Sequence, residues 1–327
     1  MNDKYKYGES VGDLLNSNFA DRQQVLGPWC CLGDIVILFA PRGLGKTFLA
    51  LQCAHAIETG TQFLKWMPPK ARKVALIDGE MGREGLFHRL WQIDKSNDQS
   101  WSHGGLTVMT EDHCGGKIWN ISDPACQLKY EDLIAKSESD VIIIDNLLTC
   151  AEPMLPNDTD LSIWYRISPW LRKLRRYKKT VILIHHANKM GEQSGTQLKE
   201  NIADTVVQLK LVISEDKFAG AVFDMHFSKS RWFFGKDKES LRVKYGEDDS
   251  GKHAWHWKPL IMAIRDYAVR KIAQGWSSSD VCKVLGISAG HLTEALEYKS
   301  EDEKQVIKES SPIQSTIFAE DTDASPF

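Results

Sequence analysis

Residues 35–47 read Ile35-Val36-Ile37-Leu38-Phe39-Ala40-Pro41-Arg42-Gly43-Leu44-Gly45-Lys46-Thr47. Five consecutive apolar residues predict a strand buried on both faces. Gly43 and Gly45 then let the backbone curl so that its N–H groups converge on an anion. Lys46 supplies a point charge for terminal phosphates, and Thr47 a hydroxyl for Mg²⁺. A helix is predicted from Thr47 to Glu58. The run departs from the phosphate-loop pattern only at Ala40, where the first glycine belongs; that position begins the turn rather than touching phosphate. The expected nucleotide-binding set is therefore Ala40, Pro41, Arg42, Gly43, Leu44, Gly45, Lys46, Thr47 and Phe48.

Outward from this segment, short apolar runs alternate with helical patterns. Strands are predicted at Val74–Ile77, Leu106–Met109, Val141–Ile144 and Val181–Ile184. Helices are predicted at Glu84–Ile93, Tyr130–Lys136 and Trp164–Tyr177. Continuous apolar strands separated by helices imply an α/β fold, with a mostly parallel sheet covered on both faces. From Val206 the character changes. Strands at Val206–Ile213, Val222–Phe227, Leu241–Tyr245 and His253–Trp257 follow, the last two joined as a hairpin through the turn-rich connector Gly246–Gly251. The expected organisation is an N-terminal strap at 1–25, an α/β domain at 26–258, a small all-α segment at 260–299 and an acidic tail at 300–327.

Bulk composition narrows the classes. The chain has 327 residues, 42% hydrophobic and 26% charged, with a net charge of −3. The tail carries seven acids against two lysines, a net of −5, so the rest is near +2. This is no basic arm, and any nucleic-acid contact has to come from local placement. No apolar run approaches the ~20 residues of a membrane span, and no apolar segment follows Met1-Asn2-Asp3-Lys4, so neither a leader nor a membrane location is expected. Seven scattered cysteines without a Cys-x-x-Cys pair read as reduced thiols in a cytoplasmic protein.

Three strand ends carry further chemistry. Asp145 ends Val141–Ile144, where a Mg²⁺-organising aspartate belongs. Beyond Val74–Ile77, Asp78 and Glu80 both offer a carboxylate to polarise an attacking water. His185 and His186 end Val181–Ile184. Because side chains alternate across a strand, only one of them faces a nucleotide.

A phosphate loop, a strand ending in Asp78-Gly79-Glu80-Met81, one ending in Ile144-Asp145-Asn146 and one ending in His185-His186-Ala187-Asn188-Lys189 together resemble the RecA-fold ATPases. The likeness is greatest to hexameric replicative helicases of the DnaB and plasmid RepA type and to related ATPases of mobile elements, and it covers residues 20–258. The resemblance implies ATP and Mg²⁺ as cofactors, with Lys46, Thr47 and Asp145 at phosphate and metal. It assigns the catalytic carboxylate to Glu80 and the γ-phosphate sensor to His186, with His185 as the alternative. Gly195-Thr196 and the stretch Glu200-Asn201 to Thr205 look like the family's segment after the sensor loop. Phe227-Ser228-Lys229-Ser230-Arg231 resembles the Lys-x-Arg pair that reaches a neighbouring subunit's nucleotide. It further implies a ring or filament, up to a hexamer, with single-stranded DNA held by loops after the metal and sensor strands. Lys189 and Lys199 are the candidate cations there. The loop at Cys150–Asp160 is acidic. The helix Trp164–Tyr177 carries Arg166, Arg172, Lys173, Arg175 and Arg176, a basic face that is either solvated or a nucleic-acid or subunit contact.

The C-terminal segment resembles the small helix-turn-helix of resolvases and regulators. Val269, Ile272 and Ala273 form a helical stripe, Gly275-Trp276-Ser277 breaks it, and Gly286-Ile287-Ser288 makes the tight turn. His291 and Thr293 on the following helix are candidate DNA contacts, against Glu294 and Glu297, whose charge opposes phosphate; docking to protein is the alternative. The terminal Ala319–Phe327 resembles the acidic tip of bacterial single-stranded-DNA-binding proteins. It makes Pro326-Phe327 a candidate anchor for a replication protein. The function expected is a Mg·ATP-dependent ATPase acting on DNA, a ring-forming helicase or replication protein of a plasmid, phage or integrated element. The alternative is an ATP-switched DNA-binding regulator.

Overall fold

A computed structural model of the chain describes residues 8–186, 198–212, 220–247 and 253–299. Lys189, Gly195, Thr196, Ile213 and the tail with Pro326 and Phe327 lie outside the described residues. The chain divides into two compact units, Met1–Lys258 and Pro259–Phe327.

The first unit is a nine-stranded sheet. Its strands are β1 (Ile35–Ala40), β2 (Val74–Asp78), β3 (Leu106–Met109), β4 (Val141–Asp145), β5 (Thr180–His186), β6 (Thr205–Leu211), β7 (Ala221–Ser230), β8 (Leu241–Glu247) and β9 (His253–Pro259). Their spatial order is β3-β2-β4-β5-β1-β6-β7-β8-β9. The first six in that order pair in parallel, and β7 and β8 continue antiparallel. The mostly parallel α/β sheet read from the apolar runs is thus the observed one.

The alternation of side chains divides the core in two. Val36, Leu38, Leu76, Ile143 and Ile182 face one way and pack with α2 (Lys46–Thr59) and α3 (Arg83–Ser96). Ile35, Ile37, Ile77, Ile142, Ile144 and Leu183 face the other way, against α4 (Pro124–Lys136) and α6 (Asp160–Arg176). Burial on both faces is why these strands show no polar alternation in sequence.

Two helices start earlier than the apolar stripes predict. α4 starts at Pro124, six residues ahead of Tyr130, because Asp123 caps it and proline suits the first turn. α6 starts at Asp160, where Thr159 and Ser162 form a capping box. Between β4 and α6 lies a one-turn helix, α5 (Leu147–Cys150).

The acidic loop and the basic helix prove largely to serve each other. Asp158 accepts from the Met154 and Leu155 amides and pairs with Arg166 at 2.5 Å. Lys173 pairs with Glu131 at 2.7 Å, and Arg175 pairs with Asp204. Three of the five cations on α6 are therefore committed to the fold.

At the N-terminus, α1 (Val11–Leu15) buries no residue, and the packed domain begins near Val25 and Leu26. In the second unit, α8 (Leu260–Ala273), α9 (Ser278–Leu285) and α10 (Ala289–Glu297) pack around Ala268, Val281 and Leu292. Ser277 and Ser288 cap α9 and α10. Gly286, at φ 63°, turns between them in the left-handed region that favours glycine. Among the described residues no helix is long and apolar enough to cross a membrane.

Candidate active site

Parallel pairing places the carboxyl ends of β1, β2, β4 and β5 at one edge of the sheet. Ala40 pairs with His186, and Asp78 with Asp145. Such an edge is where ligands bind in open α/β sheets. The cavity there has a volume of about 410 Å³. It is lined by Gly43, Gly45, Lys46, Thr47, Phe48, Glu80, Arg89, Gln92, His186, Gly220, Ala221, Tyr245 and Trp255.

The loop from Ala40 leads directly into α2. Gly43 (φ 78°) and Gly45 (φ 90°) both occupy the left-handed region, and Gly45 is the N-cap. A side chain at either position would strain the turn that aims the N-terminal amides of α2 into the cavity. Lys46 is buried and folds back, donating to the carbonyls of Ala40 at 3.0 Å and Pro41 at 2.8 Å. Burial holds its pKa below the usual lysine range, with Asp145 and Glu80 opposing the shift. Leu44 points into the core rather than the cavity, so only its backbone is available to a ligand. Arg42 is exposed and does not line the cavity.

Asp145 ends β4 with 2% of its surface exposed, and its Oδ2 has no hydrogen-bond partner among the described residues. Burial pushes its carboxyl up to about 7; the Thr47 hydroxyl pulls it down, and Asp78 and Glu80 add to the rise. A buried carboxylate oxygen without a partner, beside a threonine hydroxyl and a lysine at a glycine-built cradle, is a donor set suited to Mg²⁺ and a polyphosphate. Both groups fit the residues present: Thr47 and Asp145 would hold the metal, and Lys46 the phosphate.

The same burial makes a stability prediction. Asp145→Asn removes a charge the fold holds at a cost. It is expected to raise the thermal midpoint of the nucleotide-free protein by about 2 °C or more, while abolishing any stabilisation by Mg·ATP. Thermal denaturation with and without Mg·ATP checks both halves.

The two candidate carboxylates differ in what they contact. Asp78 is buried, and its Oδ1 accepts from the amides of Glu80 and Met81, both at 2.8 Å, so it shapes the turn. That turn presents Glu80 to the cavity. Glu80 Oε1 lies 3.0 Å from His186 Nε2 and accepts from Asn146 Nδ2. Asn146 Nδ2 is itself 3.1 Å from His186 Nε2. A protonated Nε2 donates to Glu80, and an unprotonated one accepts from Asn146.

His185 points to the opposite face and is buried, its Nε2 accepting from Lys199 Nζ at 3.2 Å. This corrects the expectation for Lys199. It is 4% exposed, on α7 (Leu198–Ile202), with its pKa lowered by burial, so it cannot meet a phosphate backbone. Of the other candidate nucleic-acid residues, His291 is exposed on α10. The Thr293 hydroxyl donates to Ala289 O at 3.1 Å within the same helix.

The sequence offered no role for Asn146, Tyr245 or Trp255. Asn146 was legible only as the residue after Asp145. Tyr245 reaches the cavity because β8 runs antiparallel to β7 and pairs Tyr245 with Ala221, which itself sits by Gly45. Phe48 and Tyr245 meet edge-on at 4.8 Å, and Tyr245 and Trp255 approach to 5.0 Å. Together they give the cavity an aromatic wall.

Lys229 and Arg231 lie at the other end. Ser230 pairs with Thr205, and Thr205 with Val36, so the pair sits near the amino end of β1. The ten residues of β7 span about 30 Å. Arg231 pairs with Asp204 at 3.0 Å, and Lys229 donates to Glu200 O.

The family model described as AAA domain matches residues 2–192, more than half of the chain. The chain belongs to this AAA-domain family. Among solved structures, the ATPase domain of a helicase superposes with a TM-score of 0.53 at 15% identity, over 75% of this chain and 95% of that one. A KaiC-like protein of Pyrococcus horikoshii gives 0.49 at 14% identity, over 74% and 100%. The flagellar accessory protein FlaH of Methanocaldococcus jannaschii gives 0.46 at 13%, over 69% and 90%. No curated protein matches. With the glycine cradle and strand-end carboxylates in place, this AAA-domain chain is a P-loop ATPase of RecA fold.

Proposed function

We propose that this protein is a Mg·ATP hydrolase that acts on DNA in the cytoplasm as a ring or filament, a helicase or replication protein of a plasmid, phage or integrated element. The observation that carries the reading is the division of the machinery. Lys46, Thr47, Glu80, Asp145 and His186 gather at one edge of the sheet. Lys229 and Arg231 stand at the other, about 30 Å away along β7. Cations so placed cannot meet their own protomer's triphosphate and are placed to meet a neighbour's.

In this reading the α2 amides and Lys46 bind the phosphates, and Glu80 takes the proton from the attacking water. Asn146 and His186 fix the Glu80 carboxylate, and His186 senses whether the terminal phosphate is present. Mg²⁺ on Thr47 and Asp145 supplies neutralisation of phosphate charge. A neighbour's Lys229 and Arg231 stabilise the charge that develops in the transition state. The aromatic wall takes the nucleobase. Tyr245→Ala is therefore expected to raise the KM for ATP about tenfold with a smaller change in kcat, stacking on one base being worth about 1–3 kcal/mol; steady-state kinetics check this. The helix-turn-helix and the Pro326-Phe327 tip are the proposed contacts to duplex DNA and to a replication protein.

The experiment is the ATPase rate per protomer against protein concentration, with and without single-stranded DNA. A rate that rises with concentration and with single strands supports the reading. A flat, unstimulated rate overturns the motor and leaves an ATP-switched regulator.

A further inference from the structure

The burial of Lys199 removes one role and leaves a question: why the fold keeps an ammonium where an apolar side chain would cost less. The answer lies in what α7 touches at each end. At its start, Lys199 donates to His185 at 3.2 Å, one residue before His186 on β5. Along its length, α7 turns backbone carbonyls toward the distant cations. Glu200 O accepts from Lys229, and Asn201 O from Arg231 at 3.3 Å. Just beyond α7, Asp204 is anchored to the sheet, its Oδ2 accepting from the Ile35 amide at 3.0 Å and its own amide donating to Ile35 O at 2.8 Å. A helix of five residues is about 7.5 Å long. It is fixed at the Asp204 end and held at the other by the buried bond from Lys199.

We propose that Lys199 is a positioning residue: its bond to His185 locks α7 to the strand that carries His186, and α7 presents Lys229 and Arg231 to a neighbouring protomer. The inference rests on the trans reading above and adds to it a direction of control. A displacement of the end of β5 by the protomer's own nucleotide pulls on Lys199. With Asp204 fixed, the carbonyls of residues 200 and 201 then shift under the two cations. The state of one site is passed to the next through an element that both ends bias.

Mixed assemblies test this. Glu80→Gln protomers keep their cations but cannot hydrolyse; Arg231→Ala protomers keep the hydrolytic site but donate no arginine. Mixing the two is expected to raise the ATPase rate about tenfold or more over either alone, within the range an arginine finger supplies. If that mixture stays inactive, the trans reading itself fails, and the proposal with it.

Given complementation, Lys199→Met is added to each partner in turn. In the Glu80→Gln protomer it is expected to abolish the rescue. In the Arg231→Ala protomer it is expected to leave the rescue within about twofold, which also shows that the variant folds and binds ATP. Equal rescue in both arrangements overturns the proposal while sparing the trans reading. Equal loss in both reduces Lys199 to a structural residue and overturns it as well. Where Lys199→Met lowers the yield of folded protein, Lys199→Gln, which keeps a donor, runs the same comparison.

Discussion

Arg231→Ala is expected to lower kcat for ATP by about 10³-fold or more, with the dissociation constant for ATP at the same protomer nearly unchanged. An arginine that meets developing transition-state charge contributes about 10³–10⁵ in rate, and little to ground-state binding. The location of Arg231 sharpens the expectation. It stands at the far end of β7 from its own P-loop, so loss of the guanidinium cannot disturb the local phosphate cradle. The fold tolerates the change. Asp204 still pairs with Arg175, still accepts from the Ile35 amide and still has the Trp232 indole N–H at 3.3 Å. No buried carboxylate is left without a partner, so the loss is kinetic rather than structural. The measurement is a single-turnover rate beside the affinity for a fluorescent ATP analogue. A fall in affinity equal to the fall in rate would place Arg231 in ground-state binding instead.

Glu80→Gln is expected to cost about 10²–10⁴ in the hydrolytic rate, the usual contribution of a positioned general base. The substitution is nearly isosteric, and Asn146 can still donate to the remaining carbonyl oxygen. The cavity keeps its shape, and Mg·ATP is expected to bind at least as tightly, because one negative charge facing the phosphates is gone. Asp78→Asn separates the two carboxylates. Asp78 Oδ1 receives the Glu80 and Met81 amides, so its loss acts by loosening the turn that aims Glu80. Its signature is a smaller fall in rate together with lower thermal stability. A rate for Glu80→Gln within a few-fold of the unchanged protein would remove Glu80 as the base.

The phosphate loop and the parallel sheet were legible because both are written locally. A strand covered on both faces must be apolar at every position, as at 35–40 and 141–144, and no other element needs such a run at that length. Glycines at 43 and 45 occupy a region of backbone space that other residues avoid. The caps of α9 and α10 are equally local: a serine before each helix and a glycine after the first.

Long-range placement was beyond that reading. Side-chain alternation says that only one of His185 and His186 faces the cavity, and the pairing of Ala40 with His186 beside Asn146 and Glu80 decides which. Tyr245 stands nearly two hundred residues from Phe48 in the chain, and only the β7–β8 pairing brings the rings to 4.8 Å. Lys199 lies in the polar stretch Lys199-Glu200-Asn201, which reads as solvated. Packing of α7 against the rest of the domain buries it, and no periodicity in five residues announces that. By itself the sequence determined the fold class, the phosphate cradle and the set of strand-end residues, since each depends on neighbours within a few positions. Which of those residues converge, and which cation is buried rather than exposed, depends on contacts between segments far apart in the chain. Only the tertiary structure decided those.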